Sequence, residues 1–226
     1  MRTQPVLLVH GFATSATRTW GEPGWLDLLA DAGRQVIAVD LLGHGDAPKP
    51  HDPAAYDGME EHVLAQLPDE QVDVIAFSMG ARIALTLASQ HPDRFGRIVV
   101  AGVGENLFRS EGGGRISDAI ESTEVPENQI ARHFKELAEA PGNDPAALAA
   151  CMRRDYPPLD EASLGRITCP VLVVLGDQDF VGPPDRLVAA LPDATLVTLK
   201  KMDHFGTPKD FTFIDEALGF IDARPF

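Results

Sequence analysis

Apolar positions along this 226-residue chain follow two alternating rhythms. Short runs in which almost every position is apolar recur at 5–9, 35–39, 72–77, 97–101, 171–175 and 195–199. A run such as Val171-Leu172-Val173-Val174-Leu175 leaves no polar face, as expected of a strand buried on both sides in a parallel sheet. Between these runs lie stretches with helical spacing at 25–32 (stopped by Gly33), 79–90 and 185–191. Two more helices are marked by their starts. Asp52-Pro53 pairs an N-cap residue with a first-turn proline and predicts a helix to about Leu67. Thr207-Pro208 predicts a last helix to about Asp222, with Asp210 placed to stabilise its first turn. Alternating strands and helices predict an α/β protein with about six mostly parallel strands and helices on both faces.

The alternation fails between 103 and 166. That stretch holds Gly112-Gly113-Gly114, several prolines and three short helical patterns at 115–122, 128–140 and 145–154. No further strand–helix unit fits it, so it is expected to be a small helical cap inserted over the strand ends; the alternative is a surface excursion with no role in the site. The expected organisation is one domain, with a core of 1–102 and 167–226 and a cap of 103–166.

Composition narrows the function classes. A hydrophobic content of 44% with mean hydropathy near zero fits a soluble globular protein. No run approaches the roughly 18 apolar residues of a membrane span. Met1-Arg2-Thr3-Gln4-Pro5 leads straight into the first strand without the pattern of a signal peptide, so a cytoplasmic protein is expected. Net charge is −15, which argues against a nucleic-acid partner, because phosphate binding needs a basic face. Cys151 and Cys169 lie in different contexts; no disulfide is expected between them, and no cluster has metal-ligand spacing. No metal or organic cofactor is expected.

Candidate chemistry centres on Val74-Ile75-Ala76-Phe77-Ser78-Met79-Gly80-Ala81-Arg82. An apolar run arrives at a lone serine and leaves through a glycine into a helix, the pattern of a nucleophile elbow. The turn exposes the Ser78 Oγ, and the following helix aims its N-terminus at the site. A serine hydroxyl is a poor nucleophile at neutral pH and needs a base. His204, in the loop after the last strand, would lie at the same sheet edge. The base needs a carboxylate to fix its tautomer. Gly176-Asp177-Gln178-Asp179 ends the fifth strand; Asp179 is the first choice, Asp177 the runner-up and Glu105 a distant third. His10-Gly11-Phe12 forms a tight turn after the first strand, and the backbone N–H groups of Phe12 and Met79 could point at one oxyanion. His10 itself is read as making a structural hydrogen bond. The glycine-rich Asp40–Asp46 loop is read as a turn scaffold, since it lacks the pattern of a phosphate cradle. Phe12, Phe108, Phe180 and Phe205 are the aromatics expected to line a substrate pocket. Arg109, Arg115, Arg132, Arg153 and Arg154 of the inserted segment are read as solvated, with one of them a candidate for holding a substrate carboxylate.

Taken together, His10-Gly11-Phe12, Asp40-Leu41-Leu42-Gly43-His44-Gly45, Ser78-Met79-Gly80, Gly176-Asp177-Gln178-Asp179 and Asp203-His204 make the chain resemble the α/β-hydrolase fold family. The order serine, acid, histidine is that family's order. The resemblance implies a triad of Ser78, Asp179 and His204, an oxyanion hole from Phe12 and Met79, and a cap at 103–166. There are three departures. Ala76 stands for the first elbow glycine, Asp203 replaces the small residue that often precedes the histidine, and this sequence opens on the strand before His10, so a sheet without the family's first two strands, with a different edge exposed, is expected. A serine nucleophile sets the chain apart from the epoxide hydrolases and haloalkane dehalogenases of this fold, which use an aspartate. The expected activity is hydrolysis of a small acyl substrate, most simply a carboxylic ester. The alternatives are thioester or carbon–carbon bond hydrolysis, and a ligand-binding protein that keeps the constellation as a pocket.

Overall fold

All six apolar runs become strands, and all pair in parallel. They are β1 (Val6–Val9), β2 (Val36–Val39), β3 (Val72–Phe77), β4 (Phe95–Ala101), β5 (Val171–Gly176) and β6 (Ala194–Leu199). They lie in the order β2-β1-β3-β4-β5-β6 in a computed structural model that describes residues 3–109, 114–154 and 156–225. Met1, Arg2 and the Gly112-Gly113 part of the glycine run lie outside the described residues.

Alternate side chains of each strand go to opposite faces, so each face needs its own helices. Leu7, Val9, Val74, Ala76, Val100 and Val173 pack with α2 (Met59–Leu64), α3 (Met79–Gln90) and α8 (Asp185–Ala190). Val6, Leu8, Ile75, Val99, Leu172 and Val174 pack with α1 (Trp25–Asp31) and α9 (Phe211–Phe220). Strands β1, β3 and β5 are buried along their whole lengths, and the edge strand β2 is half-exposed over most of its length.

Two helices differ from expectation at their starts, for local reasons. Asp52 does cap a turn, accepting from Ala54 N–H at 3.0 Å, but that turn is a 3₁₀ segment, Pro53–Tyr56. Gly58 follows and α2 begins only at Met59, while the fully buried Tyr56 shares its single hydroxyl proton between the carbonyls of Pro50 and Ala147. In the same way Thr207–Lys209 is a 3₁₀ turn, and Asp210 is the N-cap of α9, accepting from Phe213 N–H at 3.0 Å. An unexpected π-helical turn at Thr17–Gly21 buries Trp20 edge-on against Trp25.

Between β4 and β5 lie α4 (Gly114–Glu121), α5 (Gln129–Ala138), α6 (Pro145–Arg153) and the short α7 (Glu161–Leu164). Asn128 and Asp144 cap α5 and α6 through their side chains. From β1 the chain steps outward to β2 and then returns past β1 to β3. The carboxyl ends of β1 and β3 therefore flank the point where the strand order reverses, which is where open α/β sheets leave a crevice.

Candidate active site

At that crevice β3 ends in Ser78. Its backbone sits at φ 53 and ψ −115, a left-handed position costly for a residue with a Cβ. The strain persists because both sides of the turn are fixed. Ser78 N–H bonds the Ala101 carbonyl of β4 at 2.8 Å, and α3 starts at once with Met79. Gly80 allows this: a Cβ there would stand 2.4 Å from the Val9 carbonyl oxygen, so only glycine lets α3 lie against the end of β1. Ala76, where the elbow pattern has its first glycine, fits fully buried in β3, in register with Val9 and Val100.

The loops after β5 and β6 bring the other two groups to the same place. Gly176 packs so closely beneath the second loop that a Cβ would lie 2.2 Å from the Met202 carbonyl oxygen. His204 Nδ1 lies 3.0 and 2.9 Å from the two Asp179 carboxylate oxygens. A carboxylate only accepts, so Nδ1 carries the proton, leaving Nε2 of the neutral ring to accept from the Ser78 hydroxyl at 2.9 Å. Asp179 Oδ1 also accepts from Val181 N–H at 3.1 Å, which fixes the carboxylate's orientation. The Asp179 side chain is fully buried and that of His204 is 3% exposed, so the whole relay is shielded from water on its inner side.

The rival carboxylates are engaged elsewhere. Asp177 accepts from Lys201 N–H at 2.7 Å and shapes the loop that carries His204. Asp203 accepts from Gly206 N–H at 2.8 Å in the turn that follows. Glu105 lies 3.6 Å from Arg186. His10 is fully buried: its Nδ1–H donates to the Gly11 carbonyl at 2.7 Å, and its Nε2 accepts from Leu41 N–H at 3.1 Å. Burial lowers its pKa. His44 beside it is also fully buried, which drives its pKa down to about 3, with the neighbouring His10 adding to the effect. Asp40 accepts from the N–H groups of Ala16 and Asp46, both at 2.8 Å, so its loop is a turn scaffold. Cys151 and Cys169 are both free and buried. Among the described residues no group of acidic, histidine or cysteine side chains could hold a metal, and no helix is long and apolar enough to cross a membrane.

Two cavities meet at Ser78 and His204. The first, about 330 Å³, runs past Thr14, His133 and Phe205. The second, about 260 Å³, runs past Met79, Ile116, Met152 and Tyr156. Phe12 and Phe134 border both, in edge-on contact with each other at 5.8 Å. Of the four aromatics singled out, Phe12, Phe180 and Phe205 are brought to the site; the Phe180 ring lies 4.6 Å from that of His204. Phe108 is not. Its ring lies under the Arg186 guanidinium at 4.0 Å, because Arg186 is drawn there by Glu161 and Glu105. Among the arginines of the inserted segment, Arg153 pairs with Glu121 and Asp118, Arg154 with Glu60, and Arg132 bonds the Pro126 carbonyl, while Arg109 borders the second cavity. Phe134, one of the aromatics near the sequence motifs, is a wall of both cavities, and the sequence reading missed Arg82 as a wall of the second. Arg82 was detectable, since it stands four residues after Ser78 and so one helical turn along the same face.

A family profile for the alpha/beta hydrolase fold matches residues 4–150. Pimeloyl-[acyl-carrier protein] methyl ester esterase of Neisseria meningitidis serogroup C is 31% identical over 201 residues, covering 75% of this chain and 75% of the relative. A 2-hydroxy-6-oxononadienedioate/2-hydroxy-6-oxononatrienedioate hydrolase of Cupriavidus pinatubonensis is 25% identical across 89% of this chain and 81% of its own. Among solved structures, 2-hydroxy-6-oxo-6-phenylhexa-2,4-dienoate hydrolase from Rhodococcus superposes with a TM-score of 0.72 at 24% identity, over 97% of this chain and 90% of that one. At that identity the likeness bears on the fold.

Proposed function

The chain belongs to the α/β-hydrolase family and is a hydrolase, and from that premise we propose that it is a serine hydrolase of carboxylic esters, with Ser78 as nucleophile, His204 as general base and Asp179 as the group that orients His204. The observation that carries this reading is the strained Ser78, whose hydroxyl donates to His204 Nε2 at 2.9 Å while Nδ1 is held by a buried carboxylate.

Ser78 Oγ attacks the ester carbonyl as Nε2 takes its proton. Asp179 stabilises the imidazolium that forms. The developing oxyanion is held by the N–H groups of Phe12 and Met79. Met79 is the first residue of α3, so its N–H has no acceptor within the helix and the positive end of the helix dipole adds to it. The imidazolium then protonates the departing alcohol. In the second half, His204 activates water to release the acid and restore Ser78. Residues 103–166 act as a cap: Ile116, Phe134 and Met152 from α4, α5 and α6 close one side of the cavities. Phe12, Phe180 and Phe205 supply apolar walls around the ester.

The test is hydrolysis of p-nitrophenyl esters from acetate to laurate by the wild-type and Ser78→Ala proteins. Turnover that falls by at least about 10⁴-fold in the variant is expected, and equal turnover by both proteins overturns the reading. A second reading, carbon–carbon bond hydrolysis of a dienoate-type acid, is favoured by the names of two relatives, the Cupriavidus protein and a 2-hydroxymuconate semialdehyde hydrolase of Pseudomonas. It uses the same three residues, and turnover of a 2-hydroxy-6-oxo-dienoate with no turnover of any ester selects it.

A further inference from the structure

Among the described residues, the cavity beside Ser78 and Met79 carries basic side chains in a chain that is acidic overall. Acidic residues outnumber basic ones 34 to 19 overall, yet among the described residues this cavity is bordered by Arg82 and Arg109 and by no aspartate or glutamate. Arg82 is the informative one. It leaves the first turn of α3 on the face that carries Ser78. One Nη donates to the Leu107 carbonyl at 3.3 Å and the other to the Pro157 carbonyl, while its guanidinium lies 5.6 Å from the Tyr156 ring centre. Among the described residues no carboxylate is within ion-pair distance of it. Glu60, which acts on it from farther away, is held by Arg154 at 3.0 Å. A guanidinium has five N–H donors; two are satisfied by neutral carbonyls, so three donors and a whole positive charge remain. Burial lowers its pKa, as expected of a charge withdrawn from water without a counter-ion. Its outward side borders a hollow in which Asp57, Glu60 and Glu61 already stand with Arg154 and Arg166, whereas the side toward Ser78 offers it no such carboxylate among the described residues.

We infer that Arg82 is a specificity residue that holds a carboxylate at the far end of the acyl group, so that the substrates are monoesters of dicarboxylic acids. This rests on Ser78 being the nucleophile. The ester carbonyl lies at Ser78, the methylene chain runs along Met79, Ile116 and Met152, and the distal carboxylate meets Arg82 near Tyr156. Tyr156 is itself positioned by a hydrogen bond from its hydroxyl to the Met79 sulfur at 3.2 Å. The leaving alcohol then occupies the cavity past Thr14 and Phe205.

The experiment compares monomethyl esters of adipic, pimelic and suberic acids with methyl hexanoate, heptanoate and octanoate. Binding to Ser78→Ala protein is read by calorimetry and turnover by the wild type as methanol release. A charge-assisted pair predicts that the best acid ester is preferred over its neutral match by roughly 10- to 100-fold in affinity and in kcat/KM. In Arg82→Met that ratio falls toward one, and Arg82→Lys keeps part of it. Neutral esters bound as tightly as acid esters by the Ser78→Ala protein overturn the inference, and that measurement does not depend on Arg82→Met folding. A ratio that survives Arg82→Met overturns it as well. Failure of the serine mechanism is read separately, as methanol release that persists in Ser78→Ala.

Discussion

The two ends of the sheet each hold a buried carboxylate in a hydrogen-bonded constellation, and the two constellations end differently. At the amino ends of β1 and β3, Arg34 donates to the Gln4 carbonyl through Nε and Nη2 at 2.9 and 2.6 Å, to the Ile221 carbonyl at 2.7 Å and to Asp73 at 2.6 Å. Its side chain is 1% exposed and that of Asp73 is 0%. These bonds tie together the start of the sheet and the end of α9. At the carboxyl ends, Asp179 and His204 are just as buried, but their chain of bonds terminates in the Ser78 hydroxyl, which borders two cavities. Buried hydrogen bonds of similar quality thus close on the backbone at one end and lead to a hydroxyl at a cavity at the other, and on the proposed function only the second set carries chemistry. Arg82 stands between these cases: it is half-buried where Arg34 is buried, bonded to neutral carbonyls and open to a cavity.

The comparison can be broken most sharply at the carboxyl end. Asp179→Asn keeps the size of the side chain but no longer forces the Nδ1–H tautomer of His204. Ester kcat is expected to fall by about 10⁴-fold, with the melting temperature little changed; comparable turnover in the variant removes the functional half of the contrast. At the amino end, Asp73→Asn takes the carboxylate from a buried guanidinium. The expected loss is about 3–5 kcal/mol, a fall in melting temperature on the order of 10 °C, with kcat/KM unaltered below the transition. A smaller effect on stability than on activity would reverse the assignment of roles.

A finer test concerns the cost of burying histidine near the reactive end. His44 takes up a proton at about 3 when folded, against 6.5 as its ordinary value. Between those values the unfolded chain binds the extra proton and the folded one does not, so stability falls as pH drops from 6.5 toward 3, by on the order of a few kcal/mol. Urea unfolding of wild type and His44→Gln at pH 7.5, 6 and 5 should give a shallower loss in the variant. Parallel curves would place the acid sensitivity elsewhere, with His10 the next residue to replace.

Much of this was legible in the one-dimensional pattern because it depends on local physics. Strands buried on both faces must be continuously apolar, and β3, α3 and the turn between them fall where the run, the serine and the glycine put them. Strand order in an α/β sheet sends the ends of β3, β5 and β6 to one edge, so Ser78, Asp179 and His204 could be named as candidates before any coordinates. Local chemistry misled where it competed with packing. Asp52-Pro53 and Thr207-Pro208 each begin a 3₁₀ turn ahead of the helix: Tyr56 is held by carbonyls outside the turn, and the last helix is capped by Asp210 and so starts after it.

The sequence by itself thus determined the fold class, the position of the elbow and the order of its candidate partners, all of which follow from periodicity and from the steric demands of a tight turn. Only the tertiary structure decided between Asp179 and Asp177, since both end the same strand and a rotation of one loop chooses which of them meets His204 and which holds Lys201. It also moved Phe108 out of the candidate pocket and brought Arg82 in. Side-chain direction at a three-dimensional junction depends on neighbours distant in sequence, and no spacing along the chain records them.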